Sequence, residues 1–136
     1  MLCLLPFFTI AQVQVPQNIR QTFKENHISH DYVTWTMEGQ NYKASSVDEA
    51  KRQHITVYSP AGTIVRTERE IASKEIPSAI VGYFNEKYPG EMNYSVWLVE
   101  DSNGNRSYFS THNNVNVLFD SEGRINSNVQ GARDKK

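Results

Sequence analysis

Two stretches of this chain begin in the same way and lie 61 positions apart. The first, VPQNIRQTFKEN, opens with Val15-Pro16, and the second, IPSAIVGYFNEKYPG, opens with Ile76-Pro77. In each stretch an isoleucine follows the proline after three residues, and a phenylalanine follows after seven. This spacing predicts two short helices, each with one apolar stripe and with proline at its start.

Matching residues continue well beyond the two predicted helices. Further pairs follow at the same or a slightly larger offset: Tyr58 and Phe119, Gly62 and Gly123, Ile64 and Ile125, Trp35 and Trp97, and Tyr42 and Tyr108. Coincidence does not readily supply so many pairs in the same order. We therefore interpret the chain as an internal duplication of units of about 60 residues, placed at 15–71 and 76–127.

After each predicted helix the sequence takes on patterns that are typical of strands. The stretch YVTWTM at 32–37 alternates apolar and polar residues, and turn signals such as Asn103-Gly104 separate later stretches of this kind. A helix followed by three or four strands, twice over, predicts an α+β fold. Because one unit is too small to bury an adequate core, we expect one continuous, curved antiparallel sheet with both helices on one face.

The two ends of the chain are expected to lie outside this domain. MLCLLPFFTIA, at 1–11, has the apolar core and small final residue of a secretory signal peptide shortened at its start, because no basic residue precedes Arg20. A buried N-terminal strand is the alternative. We expect a single domain over 12–127 and a flexible tail over 128–136. Removing the signal would also remove Cys3, the only cysteine, which suits a periplasmic or secreted protein without disulfides.

No residue pattern in the sequence indicates catalysis. Gly-x-Ser-x-Gly and Gly-rich phosphate-binding motifs are absent, and a net charge of −1 gives no nucleic-acid footprint. Glu68 is interpreted as part of a solvated strand face. His27 and His30, followed by Asp31, have the spacing of a weak metal site, but a solvated helix end explains them better. The Asp101 loop is interpreted as a hairpin turn and not as a calcium loop. We predict no catalytic residue, no metal and no cofactor.

The aromatic residues supply the candidate binding site. In YSVWLVE, at 94–100, Val96 and Leu98 fall on one side of the strand and Trp97 and Val99 fall on the other. Because two short helices cannot cover both faces, we expect Trp97 on the open face of the sheet. Three tyrosines are expected nearby: Tyr42, Tyr58 and Tyr108. An exposed aromatic patch marks a binding surface. The alternative is a core Trp97 with Val96 exposed at an edge.

The order of these features resembles that of the PepSY-like proteins, a beta-lactamase-inhibitor-like family of exported proteins that is abundant in Bacteroidetes. The matching positions lie between residues 15 and 127: Val15, Pro16, Phe23, Val33, Trp35, Gly39 and Tyr42, then Ile76, Pro77, Tyr88, Pro89, Tyr108, Phe119, Asp120, Gly123 and Ile125. The first unit departs from the pattern at Ser59, where the family has the aspartate of an Asp-x-x-Gly turn. The resemblance implies a tandem α+β repeat and export from the cytoplasm.

We therefore predict an exported, non-enzymatic, monomeric binding protein that holds a protein partner on the open face of its sheet. One such partner would be an enzyme that this protein inhibits. The alternative is a small-ligand or metal-responsive periplasmic module, with His27, His30 and Asp31 or the Asp101 loop as its site. We expect no nucleic-acid partner and no membrane span.

Overall fold

The computed structural model describes residues 13–130, which form two helices, one 3₁₀-helix and eight strands. In chain order these are α1 (Gln17–Asn26), β1 (Asp31–Glu38), β2 (Asn41–Val47), β3 (Gln53–Tyr58), β4 (Ile64–Glu70), the 3₁₀-helix (Ser73–Glu75), α2 (Ser78–Lys87), β5 (Trp97–Asp101), β6 (Arg106–His112), β7 (Val115–Phe119) and β8 (Ile125–Gln130). The expected signal peptide at 1–11 lies outside the described residues. Of the tail expected at 128–136, the first three residues belong to β8 and the rest is not described.

All eight strands form one antiparallel sheet in the order β1-β2-β3-β4-β5-β6-β7-β8. Short turns join neighbouring strands everywhere except between β4 and β5, where the chain passes through the 3₁₀-helix and α2. β4 and β5 nevertheless pair directly, from Arg66 opposite Asp101 to Glu70 opposite Trp97. This pairing joins the two halves into one sheet, and the predicted α+β class is confirmed.

Both helices begin directly after a proline. Pro16 precedes α1 and Pro77 precedes α2, each with φ of −54°. The carbonyl oxygen of Pro16 accepts bonds from the backbone N–H groups of Ile19 and Arg20, both at 3.1 Å. Proline costs nothing here, because N–H groups at a helix start have no partner inside the helix. No helix within residues 13–130 is long and apolar enough to cross a membrane.

Each helix buries its isoleucine and phenylalanine in a core of its own. The first core contains Val15, Ile19, Phe23, Ala44 and Tyr58. The second core contains Ile71, Ile80, Phe84, Val96, Leu98, Val117 and Phe119. A separate core under each helix is what a stripe with i, i+4 spacing requires, since a helix of ten residues is marginal unless its apolar side docks.

The strand register places both cores on the same face of the sheet. Ala44 of the first core pairs with Thr56, Thr56 with Thr67, and Thr67 with Glu100. Glu100 is two residues from Leu98, which belongs to the second core. Paired residues share a face, and so do residues two apart on a strand. The expectation of two helices on one face is therefore confirmed, and we call it the helix face.

The turns that close the two halves share a set of hydrogen bonds between their first and fifth residues. The backbone N–H of Ser59 donates to the carbonyl of Thr63 at 2.8 Å, and that of Asp120 donates to the carbonyl of Arg124 at 2.8 Å. Ser59 Oγ accepts a bond from the N–H of Thr63 at 3.2 Å, as Asp120 Oδ1 does from the N–H of Arg124 at 2.9 Å. The serine therefore replaces the aspartate in this bond, although Asp120 Oδ1 also accepts a bond from the N–H of Glu122 at 2.9 Å. Duplication of the units 15–71 and 76–127 stays a prediction.

One predicted correspondence between the halves, Trp35 with Trp97, is wrong by one residue. Met37 of β1 pairs with Tyr42, and Leu98 of β5 pairs with Tyr108, the tyrosine that matches Tyr42 in the second half. Trp35 therefore corresponds to Val96, which is fully buried in the second core. Because neighbouring residues on a strand face opposite sides, this shift of one residue puts the two tryptophans on opposite faces of the sheet.

Candidate functional site

The face opposite the helices, which we call the open face, has no covering element within residues 13–130. Trp97 lies on it and pairs with Phe109 across β5 and β6. Their rings stack with centroids 5.7 Å apart and an interplanar angle of 15°. Val99 lies two residues from Trp97, and Leu118 pairs with Phe109. We call these four residues the Trp97 patch. Trp97, Val99 and Leu118 are partly exposed, whereas Phe109 is only 8% exposed and lies at the base of the patch.

The structure does not bring the three predicted tyrosines to the Trp97 patch. Tyr58 is 0% exposed inside the first core, Tyr42 packs against the same core, and Tyr108 packs against the second core. The alternative of a core Trp97 with an exposed Val96 is also wrong, because Val96 is 0% exposed. Alternation shows which residues of one strand lie on the same side. Only the pairing between strands shows which residues of different strands lie on the same face of the sheet.

Tyr58 lies in an environment that disfavours its ionised form. Its hydroxyl is buried and has no hydrogen-bond partner among the described residues. Burial raises the pKa of Tyr58 to about 12. The side chain therefore acts as a core aromatic residue and not as an accessible binding group.

A charged network adjoins the Trp97 patch on the open face. Arg66 of β4 donates two bonds of 2.8 Å to the carboxylate of Glu38 on β1 and one bond of 2.7 Å to Glu68. The bonds to Glu38, then those to Glu68, raise the pKa of the Arg66 guanidinium above its ordinary value, although burial opposes this. Since the Glu68 side chain is only 3% exposed, the interpretation of Glu68 as part of a solvated face is wrong.

In the first half of the sheet, this network lies beside Val57 on the open face. Val57 pairs with Arg66 and shares its face, yet it is 0% exposed although neither α1 nor α2 covers that side. The Arg66 side chain crosses β3 and β2 to reach Glu38, so its aliphatic stem passes over this region. Glu68 pairs with Val99, so the network borders the patch directly. The open face thus offers an apolar area beside fixed charges.

Three histidines meet at the helix face, at the end of α1. The ring centroids of His27 and His30 are 4.8 Å apart, and those of His30 and His54 are 4.4 Å apart. His54 Nε2 lies 2.9 Å from Asp48 Oδ2, and His30 Nδ1 lies 2.8 Å from Ser46 Oγ. Sequence reasoning missed His54 and Asp48, because only the pairing of β2 with β3 brings them to this point. We call the three residues the histidine cluster.

The surroundings of His27 and His30 favour the neutral form of these two rings. Burial lowers the pKa of His27 and of His30 below the ordinary value of 6.5, and the nearby His54 lowers both further. The Phe23 carbonyl opposes this shift at His27, and Asp48 opposes it at His30. No three His, Cys, Asp or Glu residues within the described part of the chain are grouped so as to hold a metal.

The Asp101 loop uses its carboxylate to hold its own turn. Asp101 Oδ1 accepts bonds from the backbone N–H groups of Asn103 at 2.9 Å and Asn105 at 3.0 Å. Asp101 Oδ2 accepts a third bond, from the Asn105 side chain at 3.1 Å. The Asn105 side chain and then its backbone N–H lower the pKa of Asp101. The hairpin turn expected at this loop is observed between β5 and β6.

No protein-family model matches the sequence, and a comparison with curated proteins finds no match. Solved structures do resemble the chain. A BLIP-like protein from Bacteroides fragilis is 18% identical with a TM-score of 0.66, covering 91% of this chain and 92% of that one. A DUF2874 family protein from Bacteroides uniformis is also 18% identical with a TM-score of 0.66, covering 85% and 88%.

A third similar structure is that of a protein from Bacteroides eggerthii. That protein is described as periplasmic on the basis of prediction. It is 14% identical with a TM-score of 0.68, covering 85% of this chain and 88% of that one. Identities this low establish shared architecture and not shared activity. The chain therefore has the fold of the BLIP-like proteins: two helices on one face of an open antiparallel sheet of eight strands.

Proposed function

We propose that this protein is an exported, non-enzymatic binding protein that holds a protein partner on the open face of its sheet. The observation that carries the proposal is the partly exposed Trp97, stacked on the buried Phe109, on a face that no helix within residues 13–130 covers. Aromatic residues dominate the binding energy of protein interfaces, because they bury a large area at small cost in side-chain entropy. The Trp97 patch is the natural centre of such an interface.

The Arg66 network supplies the polar border that an interface of this kind requires. Arg66 is held by two carboxylates, and the Glu38 side chain remains 41% exposed. The network therefore presents charge at the surface beside the patch, which the charged groups of a partner can complement. Charged groups at the rim of an apolar centre contribute mainly to orientation and specificity.

The comparisons support the proposal at the level of the fold. The chain shares its fold with the BLIP-like protein of Bacteroides fragilis. On this basis we propose that the partner is an enzyme and that binding inhibits it. The predicted location of the Bacteroides eggerthii protein supports a periplasmic or secreted location here. We also propose that the chain is a monomer and a member of the PepSY-like family that its sequence resembles.

Affinity capture from the cell envelope of the native organism tests this function. Tagged wild-type protein is compared with Trp97→Ala and with Met92→Ala, a control residue that is 85% exposed in the loop between α2 and β5 and does not belong to the patch. We expect the wild-type and control proteins to retain the same partner and Trp97→Ala to lose it. If the partner is an enzyme, its turnover is measured with and without the protein. Equal capture by Trp97→Ala, or no captured protein at all, contradicts the proposal.

The contacts within the histidine cluster favour one alternative function, a ligand- or metal-responsive module. His30 Nδ1 and His54 Nε2 already contact protein atoms, which leaves the other ring nitrogens for a ligand. Calorimetric titration with Zn²⁺ to millimolar concentration decides this alternative. Heat that His54→Ala abolishes supports it, whereas no heat with the wild-type protein removes it.

A further inference from the structure

The edge of the sheet at β1 carries the most conspicuous apolar surface in the described residues. Among residues 13–126, whose side-chain exposure is described, six large apolar residues are exposed, and four of them lie in or just before β1. They are Ile28 at 88%, Tyr32 at 76%, Met37 at 45% and Val33 at 42%. Single exposed apolar residues are ordinary, but a group on one edge marks an interaction surface. This edge is remote from the Trp97 patch, which lies on β5, β6 and β7.

A groove of about 280 Å³ runs between α1 and β1. Phe23, Val33 and Trp35 supply its apolar surface, and α1 contributes the cations Arg20 and Lys24. Arg20 donates a bond to a neutral partner, the side chain of Gln17, at 3.0 Å. No acidic residue lines this groove among the described residues. The groove is therefore apolar at its base and positively charged along the helix.

β1 also offers backbone hydrogen-bonding groups. It stands first in the strand order, so within the described residues only the edge facing β2 is paired. The register with β2 is regular from Thr34 to Glu38, and an irregularity lies before Thr34, where Tyr32 has φ of +53°. Bulges of this kind limit the pairing of edge strands. The regular segment of β1 remains available to another strand.

We propose that the unpaired edge of β1 and the groove beside it bind an extended acidic segment of a partner protein by strand addition. A strand added to β1 lies about 4.8 Å from it, with alternate side chains directed to the helix face. Those side chains enter the groove beside Val33 and Trp35, within reach of Arg20 and Lys24. Acidic residues at these positions gain two cationic partners, and apolar residues between them gain the aromatic base.

Charge favours this occupant over a second copy of the chain. Two copies paired through the β1 edge about a twofold axis would bring two sets of Arg20 and Lys24 toward the same junction. Like charges placed together in this way oppose association. An acidic segment instead complements both cations, so the groove fits a partner that differs from the protein itself.

The test uses a blocked synthetic peptide of about seven residues, which spans the regular part of β1. Every second residue of the peptide faces the groove, and these positions carry Glu and Val in turn. The remaining positions carry Thr. A control peptide has Lys at each Glu position. Binding to the full chain is measured by NMR shifts of the β1 amides and by the fluorescence of Trp35 in a Trp97→Phe background. The variants are Arg20→Glu with Lys24→Glu, and Lys87→Glu as the matched control on α2.

We expect the Glu peptide to shift the β1 amides and the Trp35 emission, and the Lys peptide to have no effect. Reversing Arg20 and Lys24 should weaken binding by about tenfold or more, and Lys87→Glu should not. No binding at millimolar peptide overturns the proposal, as does binding that leaves β1 and Trp35 unchanged. The proposal of an acidic partner segment is overturned if the free protein dimerises through β1. It is also overturned if residues 1–12 already shield Trp35. Because Trp97→Ala leaves this edge intact, failure here is separable from failure at the open face.

Discussion

Replacing Gly123 by alanine tests how closely the last turn of the sheet packs against the start of α2. Gly123 has φ of +82°, a conformation that residues with a side chain rarely adopt. A Cβ atom at this position would lie 2.8 Å from the Cβ of Pro77 and 3.2 Å from Cγ1 of Ile80. Pro77 is rigid and Ile80 is buried in the second core, so neither can move away without disturbing the helix start.

Two terms contribute to the expected loss of stability. The left-handed backbone costs about 1–2 kcal/mol for a residue other than glycine. Relieving the contact with Pro77 adds about 1–3 kcal/mol, the usual cost of overpacking. The total for Gly123→Ala is therefore about 2–5 kcal/mol. Gly39 has φ of +60° with nothing within 4 Å of the added Cβ, so Gly39→Ala should cost only the backbone term.

Gly62 occupies the corresponding turn of the first half and provides a second control. Its φ is +89°, but the nearest atoms to an added Cβ are Asn18 Nδ2 at 3.4 Å and Ile19 Cγ1 at 3.7 Å, which are ordinary contacts. The assay is urea unfolding of the three variants with unchanged m-values. We expect Gly123→Ala to lose the most stability and the other two to lose similar, smaller amounts. Equal losses at all three positions would refute the packing argument.

Three further predictions concern ionisable groups. The pKa values of His27 and His30 are lowered in the folded state, so below about pH 6.5 the unfolded chain binds protons first. Stability should therefore fall as the pH drops from neutral towards about pH 5, and His30→Gln should flatten this slope in urea titrations; an unchanged slope argues against the shifts. Arg66→Met removes the bond that Arg66 donates to the buried Glu68 carboxylate and should cost about 2–3 kcal/mol, below the value for a fully buried pair because Arg66 is partly exposed. Adding Glu68→Gln to Arg66→Met should restore part of the lost stability. A double-mutant cycle that finds no interaction energy between Arg66 and Glu68 counts against the network. Tyr58→Phe removes a buried hydroxyl that has no hydrogen-bond partner within residues 13–130, so thermal unfolding should show stability unchanged or raised by about 1 kcal/mol, and not lowered.

The helices and turns could be predicted from the sequence because their signals are local. Pro16 and Pro77 mark the helix starts within one residue, and the turn containing Gly123 is recognisable from a few neighbouring residues. The faces of the strands required more than local signals. A shift of one residue reverses a side chain, and the matching tryptophans of the two halves concealed such a shift.

The side-chain clusters could not be predicted, because their members come from distant strands. Arg66 and Glu38 are 28 residues apart in the chain, and only the order of β1 to β4 brings them into contact. His54 joins His27 and His30 for the same reason. No short-range pattern encodes these contacts, whereas the alternation around Trp97 was sufficient to place that residue opposite the core.

Side-chain footprinting of the protein with and without its captured partner tests the open face most directly. Carbene labelling reports the solvent access of individual side chains and so distinguishes the two faces of a single strand. Our account predicts that labelling of Trp97 and Leu118 falls in the complex while that of Tyr83 on α2 stays the same. Protection confined to the helices, with Trp97 labelled as in the free protein, would contradict it.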